Sequence, residues 1–294
     1  AAKFVRPVNS TTMKSIHQPD AQGFISGVYN YCDRRCERCR FQMQCRIGRV
    51  EADDAEFEDE NDPSGLPSTH EQRFRKMMED LVGPDTEEDE DSEDQEWTPP
   101  VYDPADEDPE EVAAYERKQE TIDARTAAHP LTNYGETYME LSMAWTQARE
   151  AKFKALGFDL SERVDMGMAA LPAEKLLLRE AIDELLWFQT MLHVKLQRAI
   201  HGKFADPDLD DAIGLPVEMS DWNGTAKLCL HMVERCTDAW DTVEEMVPEE
   251  AMDVAPLQEL LKRIKQALGT EFPDAPKFIR AGWDAEMGEP PEWT

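Results

Sequence analysis

Apolar side chains in the second half of the chain recur at three- and four-residue steps, which is the spacing of one face of an α-helix. The clearest stripe lies between Pro172, which suits a first helical turn, and Gly202, which suits a helix end. Its apolar positions are Leu178, Ile182, Leu185, Leu192, Leu196 and Ala199. The pattern predicts one long amphipathic helix over residues 172–200.

The same periodicity predicts four further helices. His129-Pro130 marks the end of the first, and Gly269 marks the end of the last. They cover about 110–128, 133–156, 223–247 and 257–268. The predicted inner face of the second holds Tyr134, Tyr138, Leu141, Trp145 and Ala148, and that of the third holds Ala226, Cys229, Val233, Cys236, Trp240 and Val243. No segment alternates apolar and polar residues as a half-buried strand does, so we predict an all-α fold with a C-terminal bundle of four to five helices.

Charge divides the chain into three regions. The formal net charge is −32, but residues 1–50 carry nine Lys or Arg against three Asp or Glu, a net of +6. Residues 51–110 carry three against twenty-five, a net of −22. Within this region, residues 85–110 are nearly all Asp, Glu and Pro, and such a stretch buries too little apolar surface to offset chain entropy. We therefore predict a cysteine-rich metal-binding module at 1–50, an acidic, mostly irregular connector at 51–110 with one short helix at about 68–82, and the helical bundle with an irregular tail at 111–294.

Four of the six cysteines lie within fourteen residues near the amino end, with the spacing C-x3-C-x2-C-x5-C. This four-cysteine group consists of Cys32, Cys36, Cys39 and Cys45. A four-iron cluster offers four separate corners, so a short loop can supply all its ligands. One zinc ion needs four sulfurs that converge on a point, usually from two facing C-x2-C turns, and only one such pair exists here. Two disulfides are the third option, although clustered thiols in a reducing compartment favour metal.

The trio Cys36-x2-Cys39-x5-Cys45, with the aromatic Phe41 in its longer gap, is similar to the terminal cysteine trio of iron-staple nucleases of the AddB and RecB-like kind. It also resembles the trio of WhiB-type regulators. Both families hold a four-iron cluster with one more, distant cysteine, whereas here Cys32 lies immediately upstream. The resemblance implies a [4Fe-4S] cofactor, with zinc as the alternative. We expect no nuclease core, because only 31 residues precede the group in this sequence.

The spacing Cys32-x3-Cys36-x2-Cys39 also resembles the triplet of radical SAM enzymes. That family needs a β/α barrel around its substrate and commonly has an aromatic residue before the third cysteine. This chain has Arg38 at that position, a fourth cysteine nearby and no β/α alternation. We therefore do not carry the radical chemistry over to this chain.

Six arginines flank the four-cysteine group: Arg34, Arg35, Arg38, Arg40, Arg46 and Arg49. Four thiolates on a metal centre leave a net negative charge, which arginine side chains stabilise. The arginines could instead pair with the acidic residues of 51–62, or form a patch for nucleic acid or an acidic partner. The surrounding acidity would repel phosphate, so we do not expect a nucleic-acid partner.

Candidates for chemistry elsewhere have plain structural explanations. Cys229 and Cys236 are seven residues apart on one helix face, which is too far for a disulfide and suits small core residues. His193, with Gln189 and Gln197 one turn away on either side, predicts a hydrogen-bonded buried ladder. No Glu-x-x-His pair for a di-iron bundle, phosphate loop or catalytic elbow occurs.

These patterns predict an iron–sulfur protein that acts in electron transfer or regulation and docks a protein partner through its helical body. The alternatives are a structural zinc module on an interaction protein, or an enzyme whose site in the bundle carries no recognisable motif. No apolar run reaches the roughly 20 residues needed to span a bilayer, and no signal-type pattern opens the chain, so we expect a cytoplasmic protein without a membrane partner. The sequence leaves the substrate and the oligomeric state open.

Overall fold

The computed structural model describes residues 19–50, 108–155, 173–205 and 216–284. These residues form helices, turns and irregular segments, and no β-strand occurs among them. The all-α prediction is therefore confirmed for the described part of the chain. Most of the predicted acidic connector, with its short helix at 68–82, lies outside the described residues. None of the helices in the described ranges combines the length and the apolar character needed to cross a bilayer.

The chain divides into two compact units, and the division is not a simple cut along the sequence. One unit, called the cysteine unit here, combines Ala1–Glu111 with Arg280–Thr294. The other, called the helical unit, is Val112–Ile279. We predicted the bundle with its irregular tail over residues 111–294, and the helical periodicity carries no signal that groups residues from 280 onward with the cysteines.

Five long helices lie in the described ranges after residue 107. They are α1 (Pro109–Ala127), α2 (Pro130–Ala155), α3 (Ala173–Ala205), α4 (Asp221–Met246) and α5 (Ala251–Glu271). Helix α2 packs on α3, α3 on α4, α4 on α5, and α5 on α2. These four helices therefore close a ring around one core, which is the architecture of a four-helix bundle.

The apolar stripes read from the sequence face this core in α3 and α4. All six predicted positions of α3 and all six of α4 are buried, among them Ile182, Leu196, Cys236 and Trp240. The prediction for α2 is wrong at Leu141, which is 43% exposed, and at Ala148, which is exposed as well. Helix α2 instead buries Ser142 and Thr146, whose hydroxyls donate to carbonyls of the preceding turn and so need no partner on another helix.

Helix α5 begins at Ala251, six residues before its predicted start, because α2 binds its amino end. Lys152 donates to Glu249 at 2.9 Å and to Glu250 at 2.7 Å, and Arg149 pairs with Glu250 and Asp253. Carboxylates at a helix amino end also interact favourably with the helix dipole. These ion pairs extend the helix through Pro256, which the sequence pattern alone would place near its start.

Neither of the two glycines predicted as helix ends stops its helix. Helix α3 continues past Gly202 to Ala205, and α5 continues past Gly269 to Glu271. Lys203 explains both extensions, because its Nζ donates to the Glu271 backbone carbonyl at 2.8 Å and to the Glu271 carboxylate at 2.7 Å. Tertiary contacts therefore override the local preference of glycine for a helix end.

Gly135 lets α2 approach α3 more closely than a side chain would allow. A Cβ atom at this position would lie 2.8 Å from Leu196 Cδ1 and 3.3 Å from the His193 Cα. The predicted hydrogen-bonded ladder of Gln189, His193 and Gln197 does not form: Gln189 Oε1 and His193 Nδ1 are buried without a hydrogen-bond partner among the described residues. At this close crossing the backbone of Gly135 lies against His193, and a Cβ at position 135 would lie 3.4 Å from His193 Nδ1.

Gly135→Ala is expected to destabilise the helical unit by about 1–3 kcal/mol, because the added methyl overpacks the α2–α3 crossing. Gly269→Ala is the matched control, since nothing lies within 4 Å of the Cβ it would add. In that helical position alanine is expected to stabilise by roughly 0.5–1 kcal/mol. Urea unfolding followed by circular dichroism measures both. A Gly135→Ala protein as stable as the Gly269→Ala protein would contradict the close crossing.

The carboxylates at the start of α5 make stability depend on acid. The hydrogen bond from Lys152 lowers the pKa of Glu249 below its usual 4.5. Burial opposes ionisation of Glu250, but hydrogen bonds from Lys152 and Arg149 outweigh burial and leave its pKa lowered as well. A folded-state pKa below the unfolded value stabilises the fold fully above about pH 4.5, and this stability is lost as the pH falls through the folded-state pKa.

Glu250→Gln is therefore expected to cost about 1–3 kcal/mol at neutral pH, because Arg149 loses a buried charged partner. The variant should also lose less stability than the wild type between pH 5 and pH 3. Glu259→Gln, which removes only an exposed ion pair with Arg263, is the control and should change little. Thermal unfolding across this pH range gives the comparison, and equal acid sensitivity in wild type and Glu250→Gln would refute the role of Glu250.

Candidate metal centre

The four cysteines of the group line a single pocket in the cysteine unit. Cys36 and Cys45 are buried, at 7% and 6% exposed, whereas Cys32 and Cys39 are partly exposed. None of the six cysteines, all of which lie in the described ranges, forms a disulfide bond, so the structure does not adopt the disulfide interpretation of the group. The loop thus brings together the four sulfur-bearing residues that the sequence singled out.

Short turns between the cysteines direct their side chains toward this pocket. Single 3₁₀ turns cover Cys36–Arg38 and Gln42–Gln44, and residues 46–50 are helical. Gly48 sits where that helical segment touches the preceding turn, and a Cβ there would lie 3.1 Å from the Gln42 Cα and from the Gln42 carbonyl oxygen. Because both atoms are backbone, a side chain at position 48 would push apart the loop that carries Cys39 and Cys45.

Arg34 has a φ of 59°, the only positive φ of a non-glycine residue in the part of the chain that the structure describes. This left-handed conformation costs roughly 1–3 kcal/mol for a residue with a side chain and is concentrated at functional sites. Arg34 lies between Cys32 and Cys36, so the strained residue is in the segment that joins two cysteines of the pocket.

Backbone N–H groups donate to two of the four sulfur atoms. The Phe41 amide donates to Cys39 Sγ at 3.4 Å, and the Gly48 amide donates to Cys45 Sγ at 3.4 Å. Such donors stabilise charge on sulfur, and they tune the ligands of metal–thiolate centres. As a free thiol, Cys32 in turn donates to the Tyr29 carbonyl oxygen at 3.4 Å.

The thiols are close enough to influence one another's ionisation. Burial raises the pKa of Cys32, and the charge of nearby Cys45 raises it further, against the Arg34 amide, which lowers it. Burial likewise raises the pKa of Cys39, with Cys32 and Cys45 adding to the rise. In the absence of a cation, these two thiols therefore stay protonated at neutral pH.

Of the arginines that flank the group, some line the pocket and others contact residues outside it. Arg35 is only 4% exposed and lines the pocket, so a guanidinium is buried beside the thiols. Arg46 faces away from the pocket, toward Asp20 at 3.3 Å and Gln22 at 3.1 Å, with its guanidinium over the Phe24 ring. The predicted pairing of the arginines with residues 51–62 lies outside the described residues.

One wall of the pocket was not predicted from the sequence. Trp283, more than two hundred residues after Cys45, lines the pocket and stacks edge-on against Phe41, with ring centroids 5.0 Å apart. The two rings belong to a small apolar core whose buried members are Ile25, Val28, Phe41 and Cys45. The sequence signal that could have indicated this wall is the Gly282-Trp283 pair, a turn residue beside a large aromatic in a segment without helical periodicity.

The helical unit holds the two remaining cysteines as core residues, as predicted. Cys229 and Cys236 are fully buried, and burial raises the pKa of each thiol to about 12. The Tyr138 hydroxyl, which lies beside Cys236, accepts a hydrogen bond from Trp240 Nε1 at 3.1 Å. These buried polar groups bond to one another, so they hold the core together and leave no reactive group facing solvent.

The described residues contain no group of three or more His, Cys, Asp or Glu side chains arranged to hold a metal ion. The four cysteines line one pocket, but their side chains are not arranged as a metal site. The donor set still has the chemistry that iron–sulfur and zinc centres use, with four thiols, backbone N–H donors and a neighbouring guanidinium.

The chain matches no protein-family model, no curated protein and no solved structure. A function for it must therefore be inferred from the pocket itself.

Thiol reactivity should separate the two sets of cysteines. In native protein treated with a chelator, a disulfide reagent such as DTNB is expected to modify four thiols, with Cys32 and Cys39 reacting before the more buried pair. Cys229 and Cys236 should react only after guanidinium unfolds the chain, because burial and a high pKa both suppress their reaction. Reaction of all six thiols at one rate in the native protein would contradict this arrangement.

Proposed function

We propose that Cys32, Cys36, Cys39 and Cys45 bind one [4Fe-4S] cluster, and that the protein acts as a redox or regulatory module. The observation that carries the proposal is the single pocket lined by all four thiols, two of which accept backbone N–H groups. Four sulfurs in one pocket, with donors already directed at them, are what a cluster site requires of its protein.

The sequence spacing of the cysteines is the ground for preferring iron to zinc. A tetrahedral zinc site usually draws its four thiolates from two facing C-x2-C turns, and this group has only one such pair, Cys36 and Cys39. A four-iron cluster offers four separate corners, so one short loop can supply all four of its ligands.

The residues around the pocket would stabilise such a centre in distinct ways. The amides of Arg34, Phe41 and Gly48 would hold negative charge on their sulfurs, and the buried Arg35 guanidinium would offset the charge of the whole group. The aromatic rings of Phe41 and Trp283 would limit the access of water. When bound, a [4Fe-4S] cluster supplies one-electron redox chemistry or a rigid cross-link between its ligands.

A centre with four protein ligands has no open position for a substrate, which favours electron transfer, sensing or a structural role over catalysis at the metal. A reducing compartment such as the cytoplasm would keep the thiols free. The helical unit would serve as the docking body for a protein partner. It offers exposed apolar side chains on several helices, including Leu141, Val194 and Met252.

Anaerobic purification tests the proposal. The protein should be brown, with broad visible absorption that dithionite bleaches and with about four iron and four sulfide per chain, which is the content of a [4Fe-4S] cluster. Cys39→Ser should abolish this absorption, because the loss of one ligand opens a corner of the cluster. Absorption and metal analysis on the same samples give the result.

Cys229→Ser is the matched control and should retain full iron content, because Cys229 lies in the core of the helical unit. A colourless wild-type protein with one zinc per chain would replace the cluster by a structural zinc site. Full iron content in Cys39→Ser would refute the ligand assignment.

A further inference from the structure

Residues 280–284 form a tight turn that belongs to the cysteine unit. The Asp284 carboxylate accepts from the Arg280 amide at 2.8 Å and from the Arg280 guanidinium at 3.0 Å. Gly282 has a φ of 76°, and a Cβ there would lie 3.1 Å from Val28 Cγ2. Both features make the turn fit closely against residues 25–28, and they place Trp283 beside the pocket.

Trp283 is fixed in place by contacts on several sides. Its Nε1 donates to the Val28 carbonyl oxygen at 3.0 Å, and its ring stands at 81° to that of Phe41. Arg40 donates to the Trp283 carbonyl oxygen at 3.3 Å, and its guanidinium lies 4.6 Å from the Phe41 ring centroid and 5.5 Å from that of Trp283. The hydrogen bond to Val28, the ring contact with Phe41 and the Arg40 guanidinium together hold the Trp283 side chain in one orientation.

We propose that Trp283 closes the four-cysteine pocket. Reagents then reach the thiols, and any metal bound to the thiols leaves, only when the 280–284 turn moves aside. The pocket wall that Trp283 forms comes from a distant part of the sequence. The opening of this wall therefore does not require the loop that carries the cysteines to unfold. The hydrophobic shell around a metal–thiolate site controls how solvent reaches it.

The proposal about metal release rests on the proposed cluster, whereas the proposal about thiol access does not. Measurements on metal-loaded and on metal-free protein therefore test the two separately. In metal-free protein, Trp283→Ala is expected to speed DTNB labelling of Cys36 and Cys45 by about tenfold or more, since a local opening with a free-energy cost is removed. In loaded protein, the same variant should lose iron to a chelator or to oxygen faster by a similar factor.

Trp283→Phe is the conservative variant. It keeps a ring against Phe41 but loses the hydrogen bond to Val28, so it should restore most of the protection that Trp283→Ala removes. Trp187→Phe, in the helical unit, is the matched control and should label and release at the wild-type rate. Far-UV circular dichroism on each protein shows whether the bundle remains folded, and limited proteolysis shows whether the cysteine unit does.

Faster labelling in Trp283→Ala with rescue by Trp283→Phe supports the closure even if the wild-type protein holds no metal, in which case only the proposed cluster fails. Wild-type labelling rates in a folded Trp283→Ala protein would overturn the closure, whether or not metal is bound. If Trp283→Ala unfolds the cysteine unit, the DTNB labelling rate of the Trp283→Phe protein tests the closure instead. Labelling of Trp283→Phe as fast as that of unfolded protein would then contradict a shielding role of the ring.

Discussion

The cost of burying negative charge on sulfur is the constraint on which the cysteine unit depends. Burial raises the pKa of Cys32 and of Cys39, and the neighbouring thiolates raise both pKa values further. These two sulfurs therefore ionise at neutral pH only with a compensating cation beside them. Metal binding removes the protons, so its affinity would rise with pH. Arg35 and the backbone amides supply part of the positive field that this ionised state needs.

The cysteine unit has a small apolar core, so the state of its thiols has a large influence on its stability. In the described part of the cysteine unit the buried core has four members, two aliphatic residues, one ring and one cysteine. A core of this size stabilises a fold only slightly, and small domains of this kind usually gain stability from a metal or from cross-links. The helical unit differs, because four helices bury large side chains throughout a continuous core. Metal binding would therefore contribute to the folding of the cysteine unit, whereas the bundle is stabilised by its packed core and by ion pairs such as Arg149–Glu250.

Some features of this structure could be predicted from the sequence, and others could not. The stripes of α3 and α4 were correct at every position, because helical periodicity is a local property that burial then reinforces. Helix ends were less predictable: Lys203 and Arg149 extend helices through contacts with residues distant in sequence. The four cysteines were found from their spacing, and the structure places them in one pocket. Trp283 could not be found this way, because its role comes from tertiary contact with Val28 and Phe41 and leaves no periodic signal.

X-ray absorption at the metal edge, on protein purified without oxygen, tests the central claim most directly. We predict an iron edge with a shell of sulfur neighbours and a second shell of iron neighbours, as a cluster held by four cysteine sulfurs requires. A zinc edge with sulfur neighbours alone, or the absence of both metals, would contradict the assignment of a [4Fe-4S] cluster to this pocket.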